Sequence, residues 1–111
     1  MDIIKLQAIL DAGHVEGKKA YDDHIANNKS FGGCGFAWSV ISQYEGKKIM
    51  GSNKMGKMLK KCGIDQNSYR EFYVWDRNPS QSVDAKMAYQ EAFSKHLRDN
   101  GFRCYPDSRL D

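Results

Sequence analysis

From Gly35 to Val40 the chain reads GFAWSV, and Phe36, Trp38 and Val40 alternate with Gly35, Ala37 and Ser39. Strict alternation places successive side chains on opposite faces of an extended strand. One face of this strand is bulky and the other is small. A small face lets a helix or a ligand lie close to the backbone. The preceding NKSFGG (residues 28–33) is loop chemistry and gives the strand a glycine-rich approach. The chain therefore has to supply partner strands for this one, and something to cover it.

The remaining periodicities supply both. YREFYVWD (residues 69–76) predicts a second strand, with Phe72 and Val74 on one face and Tyr69, Tyr73 and Trp75 on the other. Apolar mass on both faces predicts a central position. Phe102–Tyr105 predicts a short third strand, stopped by Pro106 and followed by a polar tail, PDSRLD. A turn at Tyr44–Lys47 leads into Lys47–Met50, a short extension of the sheet.

Helical spacing is clearest over residues 83–99, where Ala85, Ala88, Tyr89, Ala92, Phe93, His96 and Leu97 share one face. Ser82 caps it, Asp84 suits its first turn and Gly101 closes it. Residues 3–27 predict a long helix with Leu6, Ile9, Leu10, Gly13, Gly17, Ala20, Tyr21, His24 and Ile25 on the apolar side. Glycines at 13 and 17 point to another backbone approaching closely, or else to a break near Gly13. Residues 52–62 predict a short helix with Ser52 as N-cap, Met55, Met58, Leu59 and Cys62 inward, and Gly63 just past its end.

At 111 residues, 41% of them hydrophobic, the chain suits one domain with one core. The expectation is a single α+β domain over residues 1–111 in the order α-β-α-β-α-β. Its small, three-stranded sheet is mostly antiparallel or mixed and packs against the helices.

The chemistry-bearing residues narrow the function. Cys34, Cys62 and Cys104 are three widely spaced cysteines without a Cys-x-x-Cys pair, read as reduced, small apolar residues. GGCGFAW shares glycines and a Trp with the papain-like nucleophile motif, but Cys34 leads into a strand and not a helix, and no His stands at motif spacing. No phosphate-loop or dinucleotide glycine pattern occurs, and no His or carboxylate spacing matches a metal site. These readings point to a protein without catalytic residues, cofactor or metal. The N-terminus lacks the basic and apolar blocks of a signal peptide, and no apolar stretch is long enough for a membrane span.

The net charge is +3, which permits an anionic partner. Lys47, Lys48, Lys54, Lys57, Lys60 and Lys61 cluster against the single acid Glu45, and Arg70, Arg77 and Lys86 follow near Tyr73 and Trp75. Cations beside aromatics fit a nucleotide, a nucleic-acid strand or an acidic protein surface; a solvated lysine face is the simpler alternative. The acids of the first helix and the lack of a helix-turn-helix or RNA-binding signature argue against sequence-specific nucleic-acid reading.

Several stretches taken together resemble a family of small tailed-bacteriophage proteins of about this length. They are CGFAW (34–38), the GSNKMGKMLKKCG run (51–63), Val74-Trp75 with Asn78-Pro79-Ser80-Gln81, the run from Val83 and Lys86 through Ala92-Phe93 and Leu97-Arg98 to Gly101, and the terminal Ser108-Arg109-Leu110-Asp111. The resemblance covers roughly residues 30–111. Trp75-Asp76-Arg77-Asn78-Pro79 departs from the simpler Trp-Asn-Pro expected there. The resemblance implies an accessory phage protein acting in the host bacterial cytoplasm, binding a host protein or sequestering an anionic small ligand such as a nucleotide, with a homodimer compatible. Residues that match the pattern and that packing does not readily explain are the candidate binding residues: Lys57, Tyr73, Trp75, Gln81, Lys86, Arg109 and Asp111.

Overall fold

The alternating stretch forms the long strand on which the domain is built, β1 (Gly35–Tyr44). The computed structural model describes residues 1–27, 33–75 and 82–110. Three helices, α1 (Ile3–Asn27), α2 (Lys54–Lys61) and α3 (Val83–Asp99), accompany a five-stranded sheet. Its other strands are β2 (Lys47–Lys48), β3 (Asp65–Gln66), β4 (Phe72–Trp75) and β5 (Phe102–Leu110). The α+β class and the three expected strands are present, but the sheet has five strands and every pairing is antiparallel. Of the two additional strands, β2 lies in the sheet extension expected at Lys47–Met50, and β3 is two residues long, too short to show a period.

β5 runs along one edge of β1 for its full length, with a register shift between Ile41 and Gln43. β2 and β4 share the other edge of β1, and β3 lies outside β4. Glu45 and Gly46, with φ of 49° and 79°, make the tight β1–β2 turn.

Pro106 does not stop β5, contrary to expectation. Proline is tolerated on an edge strand when its missing N–H faces away from the partner. The backbone of Glu71 bonds outward to Asn67, away from β1. Alternation carried across the sheet from there turns the backbone groups of residues 104, 106 and 108 to the outer edge of β5. Pro106 has no N–H to offer there, and two of the other groups are taken by side chains. Arg98 Nη1 donates to the Cys104 carbonyl at 2.8 Å, and the Ser108 N–H donates to Asp107 Oδ1 at 2.8 Å. An edge dealt with in this way resists strand addition.

The small face of β1 does what its composition allows: α3 packs on it. Ser39 Oγ lies 2.6 Å from Gln90 Oε1 and 2.8 Å from Ser94 Oγ, and Ser94 also meets the Cys104 thiol. Gln90 is fully buried, and its Nε2 finds no hydrogen-bond partner among the described residues. An unpaired buried amide costs roughly 1–3 kcal/mol. Gln90→Met fills similar space without that donor, and Ser39 keeps Ser94 and the Gln90 carbonyl as partners. Urea unfolding of this variant should therefore show equal stability or a gain of up to about 1 kcal/mol; a clear loss would mean that the amide is needed.

α1 continues through Gly13 without a break and packs against α3. A Cβ at Gly13 would lie 3.0 Å from the Phe93 ring, and one at Gly17 2.8 Å from the Tyr89 ring. The close approach is thus made by aromatic side chains of α3, not by another backbone as expected. Helix α2 starts one residue later than Ser52 predicts. Asn53 is the cap: its Oδ1 accepts the Gly56 N–H at 2.9 Å while its Nδ2 donates to the Lys48 carbonyl. The one side chain thus caps the helix with its amide oxygen and ties it to β2 with its amide nitrogen. Gly63 takes the left-handed conformation just past the helix, with φ of 87°. Leu6, Ile9, Leu10, Ile41, Leu59, Phe72, Phe93 and Leu97 form the centre of the core, on the side of the sheet that bears the helices.

Candidate functional site

Residues directly opposite one another in an antiparallel sheet share a face. The register pairs Trp38 with Trp75 and Val40 with Tyr73 on β4, and Phe36, Trp38 and Val40 with Arg109, Asp107 and Tyr105 on β5. All of these lie on the face opposite α3, and no helix covers that face among the described residues. The bulky half of the β1 alternation is thus one row of an open aromatic surface.

The rings on it are ordered against one another. Trp38 and Trp75 stack at 5.7 Å between centroids with an interplanar angle of 12°, and Phe36 tilts against Trp75 at 5.5 Å. Trp75 is 45% exposed and Tyr105 39%. Solvent-facing aromatics grouped in this way mark an interaction surface more often than a packing accident.

The loop between β3 and β4 extends the surface. Asn67 Oδ1 accepts the N–H groups of Tyr69 and Glu71 at 2.9 and 3.0 Å, and its Nδ2 donates to Glu71 Oε1. Gln66 Nε2 holds the Arg70 carbonyl at 2.9 Å. These bonds hold Arg70 at a φ of 63°, a left-handed conformation that is uncommon for a residue with a Cβ. The loop presents Tyr69, 84% exposed, beside the sheet.

Loop and face together enclose a groove of about 780 Å³, lined by Trp38, Val40, Asn67, Tyr69, Glu71, Tyr73, Trp75, Tyr105 and Asp107. Two carboxylates line it and, among the described residues, no lysine or arginine does. Tyr105 donates its hydroxyl to Glu71 Oε2 at 3.4 Å, tying β5 to the start of β4. Burial pushes the Tyr105 phenol up, and the Glu71 and Asp107 carboxylates push it further, against a smaller pull from Arg103. Arg103 and Arg109 stand on the same face at the two ends of β5, outside the groove.

The expected binding residues divide between several places. Tyr73 and Trp75 meet in the groove, and Arg109 shares their face opposite Phe36. Lys86 is buried on α3; its Nζ donates to the Gly35 carbonyl at 3.1 Å and lies 5.4 Å from the centre of the Phe36 ring. That side chain braces the start of β1 against α3. Lys57 is exposed on α2 and lines neither cavity that contains Tyr73 and Trp75. Gln81 and Asp111 lie outside the described residues. Trp38, Tyr69, Glu71, Tyr105 and Asp107 were not among the expected residues. The bulky row of the β1 alternation signalled Trp38, and continuing β5 past Pro106 would have put Tyr105 and Asp107 in register beside it.

A second cavity, about 550 Å³, lies where β4 extends past the short β3 and is lined by His14, Cys62, Asp65, Tyr73, Trp75 and Tyr89 among others. His14 Nδ1 and the Tyr89 hydroxyl are hydrogen-bonded there, linking α1 to α3. Cys34 pairs with Ser82 in an isolated bridge leading into β1, and no disulfide joins the three cysteines. Among the described residues no group of His, Cys, Asp and Glu side chains gathers to hold a metal ion, and no helix is long and apolar enough to cross a membrane. Compared with protein-family models, curated proteins and solved structures, the chain matches none.

Proposed function

We propose that this protein is a non-enzymatic binding module that holds a protein partner on the open aromatic face of its sheet. In the setting implied by the phage resemblance, the partner is a host factor in the bacterial cytoplasm, which the bound module blocks or modulates. One observation carries the reading: Trp38, Tyr73, Trp75 and Tyr105 lie together on a sheet face that no helix covers among the described residues. Trp and Tyr are the residues that dominate binding energy at protein interfaces.

Sequestering an anionic nucleotide draws less support from the same geometry. That reading needs lysine or arginine to converge with Tyr73 or Trp75, and the two cavities holding those rings are lined by none among the described residues. The basic side chains of α2 occupy a different surface.

The test is affinity capture from bacterial extract with immobilised wild-type protein and a Trp75→Ala variant. A partner retained by the wild type should fall at least about tenfold with the variant, the consequence of losing a central aromatic anchor. Circular dichroism and unfolding midpoints establish that the variant is folded, since Trp75 is partly exposed. Equal capture by both proteins would remove the aromatic face from the function.

A further inference from the structure

We infer that the groove receives a cationic stretch of the partner, a segment whose arginine or lysine side chains lie against the rings with their charged ends at Glu71 and Asp107. The inference rests on reading the face as a protein-binding surface and adds the chemistry of what binds there.

The first support is a reversal of charge. The chain carries 17 lysines and arginines against 14 aspartates and glutamates. Yet the charged groups lining the groove are both carboxylates, and neither forms an ion pair among the described residues. A net-basic protein that keeps an acidic, aromatic groove is complementary to a positive partner and repels a negative one.

The rings act in the same direction. The face of an indole or phenol carries negative electrostatic potential and attracts cations, Trp most strongly. Trp38 and Trp75 lie nearly parallel, with Tyr73 and Tyr105 beside them in register. A guanidinium stacks flat on such rings and reaches a carboxylate with its N–H groups at the same time, which favours arginine over lysine. Burial raises the Tyr105 phenol most, and Glu71 and Asp107 add to it against a smaller pull from Arg103. The groove spans β4, β1 and β5 and extends to the Tyr69 loop, room for a segment and not for a lone ion.

The chain has two tryptophans, and both lie on this face and line the groove, so tryptophan emission responds to what binds there. The probes are two short peptides of equal length and apolar content, one carrying arginines and the other glutamates. The arginine peptide should shift the emission to saturation, and the glutamate peptide should not. Asp107→Asn keeps the acceptor for the Ser108 N–H but removes the charge, so it should weaken the arginine peptide about tenfold while leaving the unfolding midpoint in place. Equal binding of the two peptides, or tighter binding of the glutamate peptide, would overturn the cationic partner; if Trp75→Ala still abolished that binding, the face itself would stand as a binding surface. Silence from both peptides also overturns the inference. The capture experiment then decides separately whether the face binds a partner. A dimer in sedimentation that Trp75→Ala disperses would name a second copy as occupant and overturn the inference as well.

Discussion

Gly56→Ala is expected to lower stability by about 3 kcal/mol, although the substitution favours helix formation by about 1 kcal/mol in isolation. A Cβ at Gly56 would stand 1.9 Å from the Met50 carbonyl oxygen and 3.1 Å from Phe72 Cζ. The first obstacle is backbone, so no rotamer change relieves it. That carbonyl also accepts the Asn53 N–H at 3.1 Å, and Asn53 caps α2 and ties it to Lys48. Making room for one methyl group therefore means moving the helix off its own cap, or moving Phe72 in the centre of the core. Such a loss is a large share of the roughly 5–15 kcal/mol that holds a domain folded. Urea unfolding checks it, with Lys57→Ala, on the exposed side of the same helix, as the neutral comparison. A Gly56→Ala midpoint equal to wild type would mean that α2 does not sit on Met50 as described.

Alkaline pH should produce the second large effect, through Cys104. Its thiol is pushed up from 9.0 to about 11 by burial, against smaller opposing contributions from Ser94 and Arg98. The unfolded chain gives up this proton near pH 9, while the folded protein keeps it to about pH 11. Between those values the unfolded state binds fewer protons, so stability falls as pH rises. The contribution is fully present below pH 9 and is gone by about pH 11, a loss on the order of 2–3 kcal/mol. Cys104→Ala should be less stable than wild type at pH 8 because it gives up buried volume. Its stability should nonetheless decline less steeply between pH 9 and 11, when both are measured in urea under reducing conditions. Lysine and tyrosine titrations are common to the two proteins and cancel in the comparison. Parallel slopes would show that Cys104 is not held protonated by the fold.

Period explains which parts of the fold could be read directly. The alternation at 35–40 and the helical spacing at 83–99 extend over enough residues to be unambiguous, and the small face of the first is where the second packs. The two-residue strands β2 and β3 show no period at all. Proline usually ends a strand, and only the place of β5 at the sheet edge makes Pro106 acceptable within it. Edge position belongs to strand order, which a local pattern does not contain. The same gap hid half of the groove. Tyr73 and Trp75 stand two residues apart in one strand, but Tyr105 and Asp107 join them only through the β1–β5 register, and Tyr69 only through the side-chain bonds of Asn67. The lysines of α2 are clustered in sequence, whereas the groove's two acids are far apart in sequence and meet only in the fold.

The partly occupied outer edge of β5 has a consequence for selectivity. An unoccupied nine-residue edge would accept almost any extended peptide, since main-chain pairing is indifferent to what the side chains are. With Pro106 in the middle, the Cys104 carbonyl taken by Arg98 and the Ser108 amide by Asp107, that promiscuous route is largely closed. What the sheet offers a visitor is its side-chain surface, where shape and charge must both agree. Asp107 belongs to both arrangements, for the carboxylate that satisfies the edge also lines the groove.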